Sequence, residues 1–265
     1  MGGAGKDTVA AVLKACQLLE RFDVDRPVWT LADLTTASGM NKTTVFRLMG
    51  TLQHAGWVVR DPGGAYRLAL RVFAVGSAAV VGYDFRTAAH PVLAALAAEH
   101  GDTAFLMVPA AEGAVCIDRV EGGSPLAVTG IGIGTVLPFH AAAGPMMMLA
   151  LSPELRRRWI TPELPRFTVL TLADATTLKE RLDAVAAAGY VHSDGDYLDG
   201  VSAVAAPITG RSGDLVATIS LGGSTDRFRD GLLADRVAAV RSAAAQLSRF
   251  TAAAEPGLLT PPVWG

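Results

Sequence analysis

Apolar residues in the first quarter of the chain recur at helical spacing, then give way to the short alternating runs of strands. Val9, Val12, Leu13, Cys16 and Leu19 share one face of a helix expected over 9–20. A shorter amphipathic helix is expected over 31–37, and Ser38-Gly39 ends it, since Gly reaches φ > 0 without a Cβ penalty. In the helix that follows, Val45, Leu48, Met49 and Leu52 stand at i, i+3, i+4 and i+7, a stripe for burial. Asn41, Lys42, Thr43, Thr44 and Arg47 occupy its opposite face. The runs 56–60 and 65–68 then read as two strands around Asp61-Pro62-Gly63-Gly64, a hairpin of turn-forming residues.

Two helices, a tight turn and a hairpin make a winged helix-turn-helix, whose second helix enters the DNA major groove by its short, polar first turn. The donors on that face suit phosphates and base edges. The candidate DNA-binding residues are Ser38, Asn41, Lys42, Thr43, Thr44, Phe46 and Arg47, with Arg60 and Arg67 at the base of the wing reaching a neighbouring phosphate. Two roles are open to Asn41, as the helix N-cap and as a DNA contact, and they do not exclude each other. Arg47, four residues after Thr43, is read as a groove residue, against the plainer alternative of a solvated arginine.

The rest of the chain changes pattern. Residues 70–82 form a helix too apolar to stand alone in water, read as a linker packing against a second copy. Strands are expected over 103–108 and 114–120 around Glu112-Gly113, over the Gly-interrupted 126–137, and over 190–193, 201–208 and 215–222, with Arg211-Ser212-Gly213-Asp214 turning between the last two. Helices are expected over 91–100, 141–151, 176–188 (ended by Gly189) and 230–252. The reading is a two-domain α+β chain: a DNA-binding domain over 7–69, a linker helix over 70–82, a second domain over 83–252 with helices on one side of antiparallel hairpins, and a tail over 253–265.

Composition refines this picture in places. Net charge is −2, but residues 1–80 carry nine Lys/Arg against six Asp/Glu, while residues 81–265 carry fourteen against nineteen. The basic side is the one a DNA footprint needs. Cys16 and Cys116 offer neither a disulfide framework nor metal spacing, and each reads as a buried thiol. The N-terminus shows no basic flank followed by an apolar segment, and no apolar run reaches the ~18–20 residues that cross a bilayer. A cytoplasmic protein without membrane contact is expected.

The chain resembles the IclR family of transcriptional regulators over nearly its whole length. The likeness rests on Leu31-Ala32-Asp33-Leu34, on 38–48, on Gly56-Trp57-Val58 and on Tyr66-Arg67-Leu68. In the second half it rests on 137–144, Gly189-Tyr190-Val191, Gly200-Val201 leading to 203–207, and Gly213 leading to 217–220. The resemblance implies a GAF-like C-terminal domain that binds a small effector, and a dimer or dimer of dimers on a double-stranded DNA operator. Carried onto matching positions, it places Ala142 and Ala143 against the effector, Ser193 and Asp194 at a turn, and Ala203, Ser220 and Gly222 on strands, with Met107 and Met146 as pliable neighbours. Ala203 stands where the family often has Cys, Gly222 where it has a second Ser, and Pro145 where a polar residue is usual. These departures imply a ligand larger or more apolar than a two- or three-carbon oxoacid, within the class of carboxylate or aromatic metabolites.

Other chemistry finds little support. His140 has three possible roles (structural, ligand contact, catalytic), and the lack of a matched nucleophile favours the first. Asp194, Asp196 and Asp199 lack the loop length and terminal Glu of a calcium site. Gly130, Gly132 and Gly134 lack nucleotide-loop spacing. Arg156-Arg157-Arg158 reads as a solvated helix face. No catalytic residue, metal or cofactor is expected. The alternative is a small-molecule-binding protein or enzyme that uses its N-terminal domain only to dimerise.

Overall fold

Two side-chain caps set the start of the helix-turn-helix. Thr30 Oγ1 accepts from Asp33 N at 3.2 Å at the head of α2 (Leu31–Ser38), and Asn41 Oδ1 accepts from Thr44 N at 2.8 Å at the head of α3 (Lys42–His54). Between them Gly39, at φ 66°, closes α2 in the left-handed conformation. The computed structural model describes residues 8–23, 26–80, 84–124, 128–229 and 231–253. The chain divides into two units, Met1–Val81 and Gly82–Gly265.

In the first unit, α1 is Ala10–Leu19, and the wing is β1 (Val58–Arg60) paired antiparallel with β2 (Tyr66–Leu68). Val45, Met49 and Leu52 of α3 are buried with Leu18, Leu34, Val58 and Tyr66 in one core. The first helix is turned differently from the expectation. Leu18 is fully buried, with Ala15 and Leu19 partly so, whereas Val9, Val12 and Leu13 are 63%, 58% and 51% exposed and Cys16 is also exposed. The helix carries two apolar stripes, and 15, 18, 19 and 22, at i, i+3, i+4 and i+7, are the ones the small core takes. The helix α4 (Leu70–Val80) exposes Leu70 at 87% and Phe73 at 76%.

The second unit is built on one antiparallel sheet of six strands among the described residues, in the order β5-β4-β3-β8-β7-β6. The strands are β3 (Thr103–Pro109), β4 (Ala114–Val120), β5 (Val136–Leu137), β6 (Val191–Asp194), β7 (Val201–Thr209) and β8 (Leu215–Ser224). Residues 128–135 do not continue a strand as 126–137 was expected to do. Gly130 and Gly134, at φ +83° and +89°, turn the chain out of the ladder, and 125–127 lie outside the described residues.

Helices cover both faces of this sheet, not one. Ala104, Leu106, Val204, Ile208, Ile219 and Leu221 form one core with α5 (Asp84–His100) and α9 (Leu232–Ala253). Phe105, Met107 and Ala205 form the other with α6 (Ala143–Leu151) and α8 (Ala175–Ala188). The central strands are apolar on both faces of the pleat, so both need cover.

A short helix, α7 (Pro153–Trp159), carries the arginine run. Arg156 is not merely solvated: its guanidinium donates to Leu149 O at 3.2 Å and Ala150 O at 2.7 Å, at the end of α6, and pairs with Asp183 at 2.5 Å. Another charge cluster centres on a buried carboxylate. Asp102, just before β3, accepts from Arg227 Nε at 2.6 Å and from Arg236 Nε on α9 at 2.7 Å. Gly223 on β8 makes room for it, since a Cβ there would lie 2.6 Å from Asp102 Oδ1.

Candidate nucleic-acid interface and ligand cavity

Burying Val45 and Met49 points the other side of α3 outward. Lys42, Thr43, Phe46 and Arg47 are exposed on it, and Thr44 is half-buried. Asn41 serves as the N-cap through Oδ1, which leaves its amide nitrogen outside that bond. Ser38 Oγ accepts from Met40 N at 3.4 Å and so belongs to the turn. On the wing, Arg67 is exposed on β2, while Arg60 donates from Nε to Gly64 O at 3.1 Å and lies 5.4 Å from the Tyr66 ring centroid. This tether holds Arg60 at the hairpin base. Replacing Asn41 by alanine is expected to cost the first unit about 1 kcal/mol, the usual worth of such a cap, read as a lower unfolding midpoint in a denaturant titration.

In the second unit a small cavity of about 40 Å³ lies between α6 and the sheet. Strand register makes its floor: Ser193 pairs with Ala203, and Ala203 with Gly222, while Ser220 pairs with Phe105 on the adjoining row. Small side chains in line leave the floor low. Ala142 and Ala143 at the start of α6 line one wall, and Met107 lies on another. Gly144 lets α6 approach, because a Cβ there would lie 3.1 Å from both Met107 Sδ and Thr218 Oγ1.

Two residues named from the sequence fall outside the lining. Met146 is 2% exposed and packs in the core with α8, one residue past Pro145, the last residue of α6 to line the cavity. Asp194 follows Ser193 in β6, so the pleat turns it to the other face, where it is exposed and accepts from Ser202 Oγ at 2.6 Å. Its place is taken by Asp196, returned to the cavity by Gly195 at φ +64°. Sequence reasoning also missed Phe105, Val128, Ile131 and Leu137 on the apolar side, and Tyr197, Leu198 and Val201 after the turn. The strand period would have found Phe105, two residues before Met107.

Asp196 is the polar centre of the cavity. Its Oδ1 accepts from Ala142 N at 3.0 Å and from Ser193 Oγ at 2.5 Å. Ala142, at φ 65° and ψ 153°, holds the one non-glycine positive φ among the described residues, and its N–H meets that carboxylate. Burial raises the Tyr197 phenol above its ordinary range.

His140, 5% exposed, donates from Nε2 to Pro165 O at 2.8 Å, a structural placement. Cys116 is buried, and burial pushes its thiol up to about 12, the state of an unreactive core thiol. Cys16 departs from the expectation of a buried thiol, being exposed on the outer stripe of α1.

Comparison with known proteins bears on both units. The IclR helix-turn-helix domain model matches residues 11–62, and the model for the bacterial transcriptional regulator IclR C-terminal domain matches residues 77–249. The HTH-type transcriptional regulator KipR of Bacillus subtilis is 30% identical over 240 residues, which cover 90% of this chain and 95% of KipR. An IclR transcriptional regulator from Silicibacter sp. TM1040 superposes with a TM-score of 0.81 at 28% identity, covering 95% of this chain and all of that one. An IclR homolog of Microbacterium hydrocarbonoxydans, solved in complex with 4-hydroxybenzoate, shares the fold at a TM-score of 0.76 and 24% identity, over 91% of this chain and 98% of its own. No described helix is long and apolar enough to cross a membrane.

Proposed function

Because the chain belongs to the IclR family of bacterial transcriptional regulators, we propose that it reads an operator with Lys42, Thr43 and Arg47 of α3 and changes its grip when a small molecule fills the cavity. It is a DNA-binding regulator with a C-terminal effector-binding domain, not an enzyme. The observation that carries the DNA reading is the capped α3, anchored by Val45 and Met49 and presenting a row of exposed donors. Arg47 takes a base edge or the backbone, while Lys42, Arg60 and Arg67 take phosphates.

Two copies act together in this reading. The exposed stripe of α1 and the apolar α4, with Phe73 76% exposed, supply faces that a second copy covers, giving a homodimer, or a dimer of dimers, on a two-fold operator in the cytoplasm. Effector binding shifts operator affinity only through its different affinity for the two dimer geometries. A coupling of about 1–3 kcal/mol corresponds to a change of roughly 5- to 150-fold. Of the ligand chemistries open at the level of sequence, the walls of Phe105, Val128, Ile131 and Leu137 favour an aromatic or similarly apolar body.

The test is selection of genomic fragments by the purified protein, followed by gel shifts on the enriched sequence. A palindromic site is expected, with affinity falling about 10³-fold between 50 and 200 mM salt if some six phosphates are neutralised. A folded dimer that enriches nothing would show the helix-turn-helix to be a scaffold.

A further inference from the structure

A cavity that binds metabolites through a helix start ordinarily offers its backbone N–H groups to an anion. Here that group is taken. Ala142 N, turned toward the cavity by its unusual φ of 65°, is already bonded to Asp196 Oδ1 at 3.0 Å. We infer that the cavity selects ligands whose polar head donates a hydrogen bond, neutral or cationic, and that Asp196 turns carboxylates away; this rests on the effector-binding reading of the cavity.

Asp196 is a built feature, not a mobile surface acid. It is 7% exposed, and the turn that carries it is tied from behind by Thr168 Oγ1 to Gly195 O at 2.6 Å and by Thr171 Oγ1 to Asp196 O at 2.6 Å. Ser193 donates to the same carboxylate oxygen at 2.5 Å, so both bonds made to Oδ1 come from donors. None of the ion pairs among the described residues of this unit includes Asp196. Asp196 therefore lines a mostly apolar cavity without an ion-pair partner among the described residues, and a ligand that supplies N–H or O–H, or a positive charge, matches it. A ligand carboxylate in that position meets a like charge in a site of low polarity, which lowers its affinity about tenfold or more.

Arg119 is the guanidinium beside this wall, 5.9 Å from the Phe105 ring centroid. It does not line the cavity, and it is engaged with Val128 O at 2.9 Å and Glu121 at 2.8 Å. Its Nε is buried without a partner among the described residues, and that is the group an anionic ligand would have to reach.

Benzamide, benzylamine and benzoate have nearly the same shape and differ at the head, so they separate the cases. Calorimetric titration of the full-length protein at pH 7 is expected to show benzamide or benzylamine binding about tenfold or more tightly than benzoate. Benzylamine ahead of benzamide marks a cationic effector, and the reverse order a neutral one. In Asp196→Asn, which keeps an oxygen for Ala142 N, the advantage over benzoate is expected to shrink severalfold. The wild-type comparison holds whether or not that variant folds. Benzoate binding as tightly as benzamide would overturn the inference and point to Arg119. Binding of none of the three to a protein that selects an operator also overturns it while leaving the regulator reading standing. Loss of operator selection in a folded dimer counts against the regulator reading instead.

Discussion

Replacing Asp102 by alanine is expected to remove about 3–5 kcal/mol from the stability of the second unit, the usual cost of stranding a buried charge. The Asp102 side chain is fully buried, and that of Arg236 is 5% exposed. Asp102 joins the start of β3 to α9 through Arg236 and to the 3-10 turn Thr225–Phe228 through Arg227, which also donates to His100 O. Without the carboxylate, Arg236 must stay buried unpaired or drag α9 outward. Hydrogen exchange read along β3 and α9 checks the prediction, with protection falling in both together. A loss below 1 kcal/mol would show that nearby carbonyls, such as Leu232 O at 3.2 Å from Arg236 Nη1, already suffice for the guanidinium. Changing Asp102 and Arg236 together to apolar residues is expected to cost less than the single change, since neither charge is then left alone.

Arg47→Ala is expected to weaken binding to the selected operator by roughly 10- to 100-fold per site while leaving the unfolding midpoint unchanged. The side chain is exposed, so its removal opens no cavity. A second change separates base reading from backbone grip. Lys42→Ala is expected to weaken specific and non-specific DNA alike and to reduce the salt slope by about one. Gel shifts at several salt concentrations distinguish the two. If Arg47→Ala lowered the salt slope without relaxing sequence preference, Arg47 would be a phosphate contact.

The DNA-binding unit was largely legible in the sequence because its signals are local. Asn41 caps within three residues, Gly39 turns within one, and the α3 stripe repeats within two turns. The first helix was misjudged because Val9, Val12 and Leu13 are as apolar as the residues that pack, and a small core can take only one side. In the second unit, strands were readable as short apolar runs between turn residues, and Met107, Ala142, Ala143, Ser193, Ala203, Ser220 and Gly222, named with the family resemblance, do line the cavity. What stayed hidden depended on distant pairing. Asp196 reaches the cavity only because Gly195 reverses the chain and Thr168 and Thr171, from a preceding loop, hold the turn. The two-sided cover of the sheet was missed because an apolar strand run does not say how many faces it buries.

Because the sheet separates two cores, with α5 and α9 behind it and α6 and α8 around the cavity, the proposed ligand site and the core of α5 and α9 draw on different sets of residues. On the proposed reading of the cavity, positions such as Ala203 and Gly222 can accumulate changes that retune what is sensed, while the Asp102 cluster and the α9 core go on fixing the framework. Such a partition makes this scaffold a good starting point for directed evolution of a biosensor, with libraries confined to one face of a single sheet.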